Sequence, residues 1–561
     1  MATPDRTRLI SAADDTGRDR RRRFVWVSLA VFVALAVLHT WPLALALDTL
    51  SRNDTADTVL HEWTLAWLAH QIVHDPLHLF DANIFYPDRL TLAYSDHLFI
   101  PGIVVAPLLW AGFSPVLAYN LLLITGLAST GWVMSLVVTR WTGNRTAGLI
   151  SGSLVAFNAF TLTRFPQIQD QHVAFLPLAL WALDRLLRVP SVRHALSLSG
   201  WFVLQALTSG YWLMFTTVAM VFGAAARPGE WMTRTRRPFV AYAALAAVVT
   251  GLALLPFLLP YWTVSRDQGL TRSLEEVGLF SAHMSNYLAT GGRLHFDVWS
   301  QAFYASGGDA LFPGAIALGL TAVAVGSGVA FRDRRARMAL SFGVAAFALS
   351  FGPRLPGYAV LYDLFPLMTG IRGASRFGQL WLVAIAILAG FGWARLGQVL
   401  RRAATPAARR AALALGAVAL IGVHAEAVRA PIAYSEFQGI PAGFDVLPGP
   451  EDDAVLAFFP FYSVDAVFEN PRYMLYATRS FAPMLNGYSG FIPQSYMRHA
   501  RALAPFPDAA SISYLREVGV THVVVEGQRM SNTALAALEQ FPELQLTVAN
   551  DSLRLYTLGP D

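Results

Sequence analysis

Long apolar stretches alternate with short arginine-bearing turns from Phe24 to Val428. Many run to about 20 residues, the length that crosses a hydrocarbon core of about 30 Å. The first predicted span, Phe24 to Leu47, follows the basic run Arg18 to Arg23, which holds its start in the cytoplasm; with no small-residue cleavage site after it, this start does not read as a cleaved signal peptide. Further predicted spans are Val116–Thr139, Thr146–Thr163, one ending at Asp184–Arg193, and a pair across Ala195–Ala226 turning at Ser209 and Gly210. Phe239–Trp262, Leu311–Phe331, Met338–Phe351, Gly378–Arg395 and Ala411–Val428 complete the series. The arginine clusters between them all fall on one side, which predicts about eleven spans with a cytoplasmic N-terminus and the C-terminus outside. Ile100 to Phe113 is apolar but short, and Pro101 and Pro107 interrupt it. It reads as a juxtamembrane or re-entrant helix inside a first outside loop, about 48–115.

After Arg429 the period changes. Ala454–Phe459, Thr521–Glu526, Leu544–Val548 and Leu553–Leu558 read as short strands, and Ser511–Val518 and Asn532–Gln540 as helices. The predicted organisation is a cytoplasmic tail (1–23), a membrane domain (24–429) and a small extracytoplasmic α/β domain (430–561). The fold class is mainly α: a polytopic helical bundle carrying that small domain. No internal repeat stands out, which weakens a transporter built from inverted repeats.

Composition agrees with a membrane protein. Of 561 residues, 55% are hydrophobic and 14% charged, with mean hydropathy +0.44, too little polar surface for a soluble globule of this size. The 42 basic residues are all arginine and the net charge is +5, but most lie in turns between spans, as topology signals rather than a nucleic-acid footprint. The arginine fork suits phosphate, although a composition bias that also favours alanine is the simpler source. Without cysteine there are neither disulfides nor thiolate metal sites.

Candidate chemistry gathers in the first outside loop. Asp54 and Asp57 follow the first span, and Asp81, Asp88 and Asp96 come later, interspersed with His61, His70, His74, His78 and His97. Loop acids are ordinarily solvated. These lie at the membrane exit beside Trp63, Trp67, Phe85 and Tyr86, where a carboxylate can meet a lipid headgroup. Arg372 and Arg376 precede an inward span on the outside face, a costly place for arginine that suits either a snorkelling anchor or a donor phosphate. Arg164, Gln169 and His172, in TRFPQIQDQH, either line a polar cavity or cap helix ends. Asp267, Glu275, Glu276, His283 and His295 show no metal-ligand spacing and read as solvated loop residues. NGYSGFIPQSY suits stacking on a sugar ring but reads more simply as turn and core. The sequons at Asn53 and Asn144 read as chance matches, the second in a predicted cytoplasmic turn.

The strings DPLHLFDANIFYP, TLAYSDHL, IRGASRFGQL and MLNGYSGFIPQSY look like those of bacterial membrane proteins placed among the GT-C glycosyltransferases. A long first outside loop with an acid just past the first span, and a second acid before a short proline-containing helix, also resembles that superfamily. The resemblance implies a bacterial inner-membrane enzyme that takes a hexose or pentose from a polyprenyl-phosphate carrier. The acceptor would be a glycan, lipid or protein hydroxyl; no nucleic acid is implied. It places the catalytic acid at Asp57, with Asp54 as rival, and matches the second acid to Asp96. Such a transfer needs a carboxylate to take the acceptor proton and cations to neutralise the departing lipid phosphate. Arg372, Arg376 and Arg164 are the expected phosphate partners, and His61, His97, Gln169 and His172 the expected cavity residues. No metal-ligand set is assigned, and a divalent cation is left open. The alternatives are a flippase of lipid-linked sugars, which calls for charges in mid-span, and a non-catalytic envelope assembly protein.

Overall fold

The computed structural model describes residues 6–52, 55–232, 236–304, 309–401 and 405–559; Asp54 lies outside the described residues. Among them, six helices are long and apolar enough to cross a membrane: Asp19–His39, Pro115–Thr142, Arg145–Thr163, Pro238–Gln268, Ala374–Val399 and Arg410–Ala427. The other predicted crossings are shorter helices, Phe175–Arg188, Val192–Ala206, Gly210–Ala225, Ala315–Gly326 and Arg334–Ser350. Capping sets several of the helix starts. Ser209 accepts from the Tyr211 amide, and Asp333 from the amides of Arg335 and Ala336, so those helices begin where a side chain satisfies their free donors. The first helix ends at His39, short of the expected Leu47, because Pro42 has no amide to continue it. The Thr146–Thr163 stretch divides at Phe157, where Asn158 caps a new turn by accepting from the Thr161 amide at 2.9 Å. The short apolar helix expected in the first loop is present as Phe99–Trp110, with Pro107 inside it.

Burial separates inner helices from outer ones. In the most apolar 18-residue stretch of Ala374–Val399, 89% of the residues are buried, whereas in that of Pro238–Gln268 only 11% are, which leaves its apolar side to lipid. Small residues allow the inner helices to approach closely. A Cβ at Gly152 would lie 2.3 Å from the Gly131 carbonyl, and one at Gly392 would lie 1.9 Å from the Leu320 carbonyl.

Beyond the bundle, β3 (Leu456–Phe459), β4 (His522–Val525), β5 (Leu544–Ala549) and β6 (Arg554–Leu558) form a sheet of order β3-β4-β6-β5. β3 is parallel to β4 and the other pairs are antiparallel. A two-stranded ribbon pairs β1 (Leu50–Ser51), where the first loop begins, with β2 (Ser435–Glu436), just after the last helix. The C-terminal segment has an apolar core of its own, with Val455, Phe459, Ile512, Val523 and Tyr556, and shares a second one with the first loop. Leu60, Trp63, Trp67 and Phe85 of the first loop share one apolar core with Leu456, Phe458, Tyr473 and Met474. Each buried side chain of this kind contributes about 1.5–3 kcal/mol. The Phe85 and Tyr86 amides donate to the Asn486 and Met484 carbonyls, and the Met484 amide returns a bond to Asn83. The Asn83 side chain accepts from the Trp63 indole and donates to the Ala482 carbonyl.

Candidate functional site

Thr55 caps the helix Ala56–His74 and thereby places Asp57 in its first turn, where the exposed amides favour a carboxylate. Asp57 Oδ2 accepts from Gln167 Nε2 at 2.7 Å, and Oδ1 accepts from the Tyr488 hydroxyl at 2.9 Å. One turn on, His61 lies on the same face. Its Nδ1 donates to the Pro166 carbonyl at 2.8 Å, which leaves Nε2 as the basic nitrogen. Burial pushes the Asp57 carboxyl upward, but His61, the two hydrogen bonds and Arg376 together bring it below the ordinary carboxylate range. Burial lowers the His61 imidazole, with Asp57 offsetting part of that effect.

Asp96 is held by neutral donors. Gln169 Nε2 and Ser209 Oγ donate to Oδ2, each at 3.0 Å, and the Gly210 amide donates to Oδ1 at 2.9 Å. Gly210 opens the helix Gly210–Ala225, so this carboxylate sits on a helix N-terminus. Beside it, His97 Nδ1 donates to the Tyr261 hydroxyl at 3.0 Å, and that hydroxyl donates on to the Ser95 carbonyl.

Asp57, His61, Asp96, His97 and Gln169 line a cavity of about 460 Å³, together with Arg372 and Arg376. The Arg376 guanidinium lies 4.3 Å from the centre of the Tyr211 ring. Arg372 lies 4.2 Å above Phe280, is 45% exposed, and pairs with Glu276 at 3.2 Å. Leu254, Phe257, Leu258 and Trp262 of the lipid-facing helix Pro238–Gln268 form another wall. Arg272 also lines it, so the cavity joins two carboxylates and three guanidinium groups to a surface that faces lipid.

Two expected residues stand outside the cavity lining. Arg164 donates to Asp170 at 2.7 Å and to Asp309 at 2.9 Å, so both faces of its fork are already occupied by carboxylates. His172 lies under Gly126, where a Cβ would come within 2.7 Å of its Nε2. The polar string TRFPQIQDQH forms a tight turn that sends Gln167 and Gln169 to the two acids and turns Arg164 toward its own ion pairs. In the second outside loop, His295 pairs with Glu426 and Asp267 with Arg266, while Glu276 reaches Arg372.

Gln167 and Tyr488 are the cavity residues bonded to Asp57 that sequence reasoning missed. Gln167 lay inside the quoted TRFPQIQDQH string. Tyr488 lay in NGYSGFIPQSY, read above as turn and core, yet its hydroxyl is bonded to Asp57. Among the described residues no group of three or more His, Asp or Glu could hold a metal ion. The two cavity acids carry amide, hydroxyl and backbone donors instead, a set that does not form a protein cage for a divalent cation.

No protein-family model and no curated protein matches the chain. Among solved structures it is similar to the arabinofuranosyltransferase AftD from Mycobacteria, with TM-score 0.62 and 15% identity over 96% of this chain. It spans 40% of the AftD chain. It is also similar to the archaeal oligosaccharyltransferase AglB from Archaeoglobus fulgidus, with TM-score 0.50 and 12% identity, covering 90% of this chain and 70% of that one. At these identities the likeness is one of architecture: the chain shares its membrane fold with these two transferases.

Proposed function

We propose that this protein is a membrane glycosyltransferase that moves a sugar from a polyprenyl-phosphate carrier to an acceptor hydroxyl, with Asp57 as general base. The observation that carries the reading is the shared cavity: an ionised carboxylate and two arginines face one space, and a lipid-facing helix forms its side. A carrier chain would lie along Leu254, Phe257 and Leu258, with its phosphate toward Arg372 and Arg376. Glu276 would yield Arg372 to the stronger anion. Asp57 would take the proton from the acceptor hydroxyl as its oxygen bonds to the anomeric carbon. The bond from that carbon to the phosphate oxygen breaks, and the carrier phosphate leaves with the electron pair, its charge met by the two arginines. Asp96 faces the same space and suits hydrogen bonding to the sugar hydroxyls of the donor. The AglB structure contains a dolichol-phosphate, which supports a carrier of this chemical class.

The test uses purified full-length protein in phospholipid vesicles with polyprenyl-phosphate-linked pentoses and hexoses as probes. Asp57→Asn is expected to reduce transfer by about 10²–10⁴-fold, the range a general base supplies, while the protein still folds and its melting temperature falls only slightly. Full transfer by this variant would overturn the role of Asp57. Translocation of a labelled donor without product would identify a flippase instead.

A further inference from the structure

The C-terminal segment reaches the cavity through one turn, Gly487 to Gly490. Four contacts fix this turn without its tyrosine hydroxyl. Gly487 lies under the Phe85 ring, where a Cβ would come within 2.8 Å, and its carbonyl accepts from Asn470 Nδ2 at 3.1 Å. The Gly490 carbonyl accepts from Arg272. A Cβ at Gly490 would lie 2.9 Å from the Tyr94 carbonyl, so the turn is closely seated there too. Just before it, Asn486 bonds both the amide and the carbonyl of Phe458, tying the turn to β3. The turn is thus positioned by its backbone. The Tyr488 hydroxyl remains for another purpose, and the partner it meets is Asp57 Oδ1.

We infer that Tyr488 is a positioning residue for Asp57: its phenol, with the Gln167 amide on the other oxygen, fixes the carboxylate plane so that the remaining lone pairs face the acceptor. The inference rests on the proposed role of Asp57 and assigns the C-terminal segment a part in that chemistry. A carboxylate on a short side chain rotates readily about χ2, so one hydrogen bond to each oxygen is what holds a single orientation. Burial and the neighbouring Asp57 charge push the Tyr488 phenol upward, so it stays protonated and serves only as donor. The same bond lowers the carboxylate's proton affinity; what it provides is geometry, at some loss of basicity.

Tyr488→Phe removes one oxygen and leaves the seated turn intact. The expected result is a slightly lower melting temperature and an unchanged donor KM, with kcat reduced by about tenfold to hundredfold, the scale on which misplaced reacting groups cost rate. An independent readout is infrared titration of the Asp57 carboxyl band, identified by its loss in Asp57→Asn. In Tyr488→Phe this titration is expected to move upward by about one pH unit, the equivalent of a factor of ten. A fall in kcat together with an upward titration supports the inference. An unchanged kcat overturns it, whether or not the titration moves. A rise in donor KM with an unmoved titration also overturns it and makes Tyr488 a substrate contact. If Asp57→Asn retains transfer, the general-base reading fails; if that variant is inactive and Tyr488→Phe behaves as wild type, only this inference fails.

Discussion

At one end of the helices Phe175–Arg188 and Gly210–Ala225 the charged groups are paired with one another; at the other end Asp57, Asp96 and Arg376 are held apart, although Arg372 still pairs with Glu276. Asp184 accepts from Arg188 and Arg227, each at 2.7 Å, and from Arg335 at 3.2 Å. Arg227 is fully buried and also pairs with Glu230, while Arg335 and Arg337 bind the Trp141 and Ala226 carbonyls. This network closes on itself. Around the cavity the same residue types are arranged differently. Asp57 and Asp96 accept from amides and hydroxyls, and Arg376 lies over a tyrosine ring, with no salt bridge among the described residues. Charges paired with each other join helices; charges solvated by neutral dipoles stay available to a ligand.

The comparison can be broken first at the paired end. Asp184→Asn removes the acid shared by three arginines and is expected to cost about 3–5 kcal/mol of stability. Thermal unfolding in detergent measures this, and a melting temperature equal to wild type would show that the network does not join the helices. Arg164 and Arg376 then provide a matched pair. Arg376→Gln is expected to lower kcat/KM for the lipid-linked donor by about tenfold or more, with melting little changed, because it removes a charge-assisted contact to the phosphate. Arg164→Gln leaves Asp170 and Asp309 without their shared cation and is expected to lower the melting temperature instead. Donor titrations and melts on both variants separate the two roles, and the reverse pattern would exchange them.

The smallest effect expected is in pH. Asp57 titrates below the ordinary carboxylate value of about 3.9. Its native contacts therefore add stability above that value, and this contribution is lost as pH falls through the folded-state value. The acid limb of the pH–rate profile should likewise appear only below about pH 4. A limb nearer pH 6 would assign the titration to another group.

Much of the fold was legible because it follows from local pattern. The four strands of the sheet lie within a residue or two of their expected positions, since short apolar runs between turns mark them directly. Asp57 and Asp96 could be singled out by their place beside the membrane. Their partners could not, because Gln167 is 110 positions from Asp57 and Tyr488 is 431. No spacing rule spans such separations. Arg164 was read as a phosphate ligand from its side of the membrane alone; Asp309, which occupies it, is 145 residues away, although Asp170, six residues on, was a visible clue. Span ends were read less closely: Phe239–Trp262 lengthens to Pro238–Gln268, whereas Leu311–Phe331 shortens to Ala315–Gly326, because caps and turn residues, not hydropathy, set where a helix stops.

The core shared by the first loop and the C-terminal segment bears on how the protein is made. A ribosome delivers Asp57 early and Tyr488 more than four hundred residues later. Throughout that interval Leu60, Trp63, Trp67 and Phe85 lack the C-terminal half of their core. The cavity wall is complete only once Gly490 has been delivered. A nascent bundle thus holds its lipid-facing helices before it holds a finished cavity, and Asp57 gains the second of its two hydrogen-bond donors only after them.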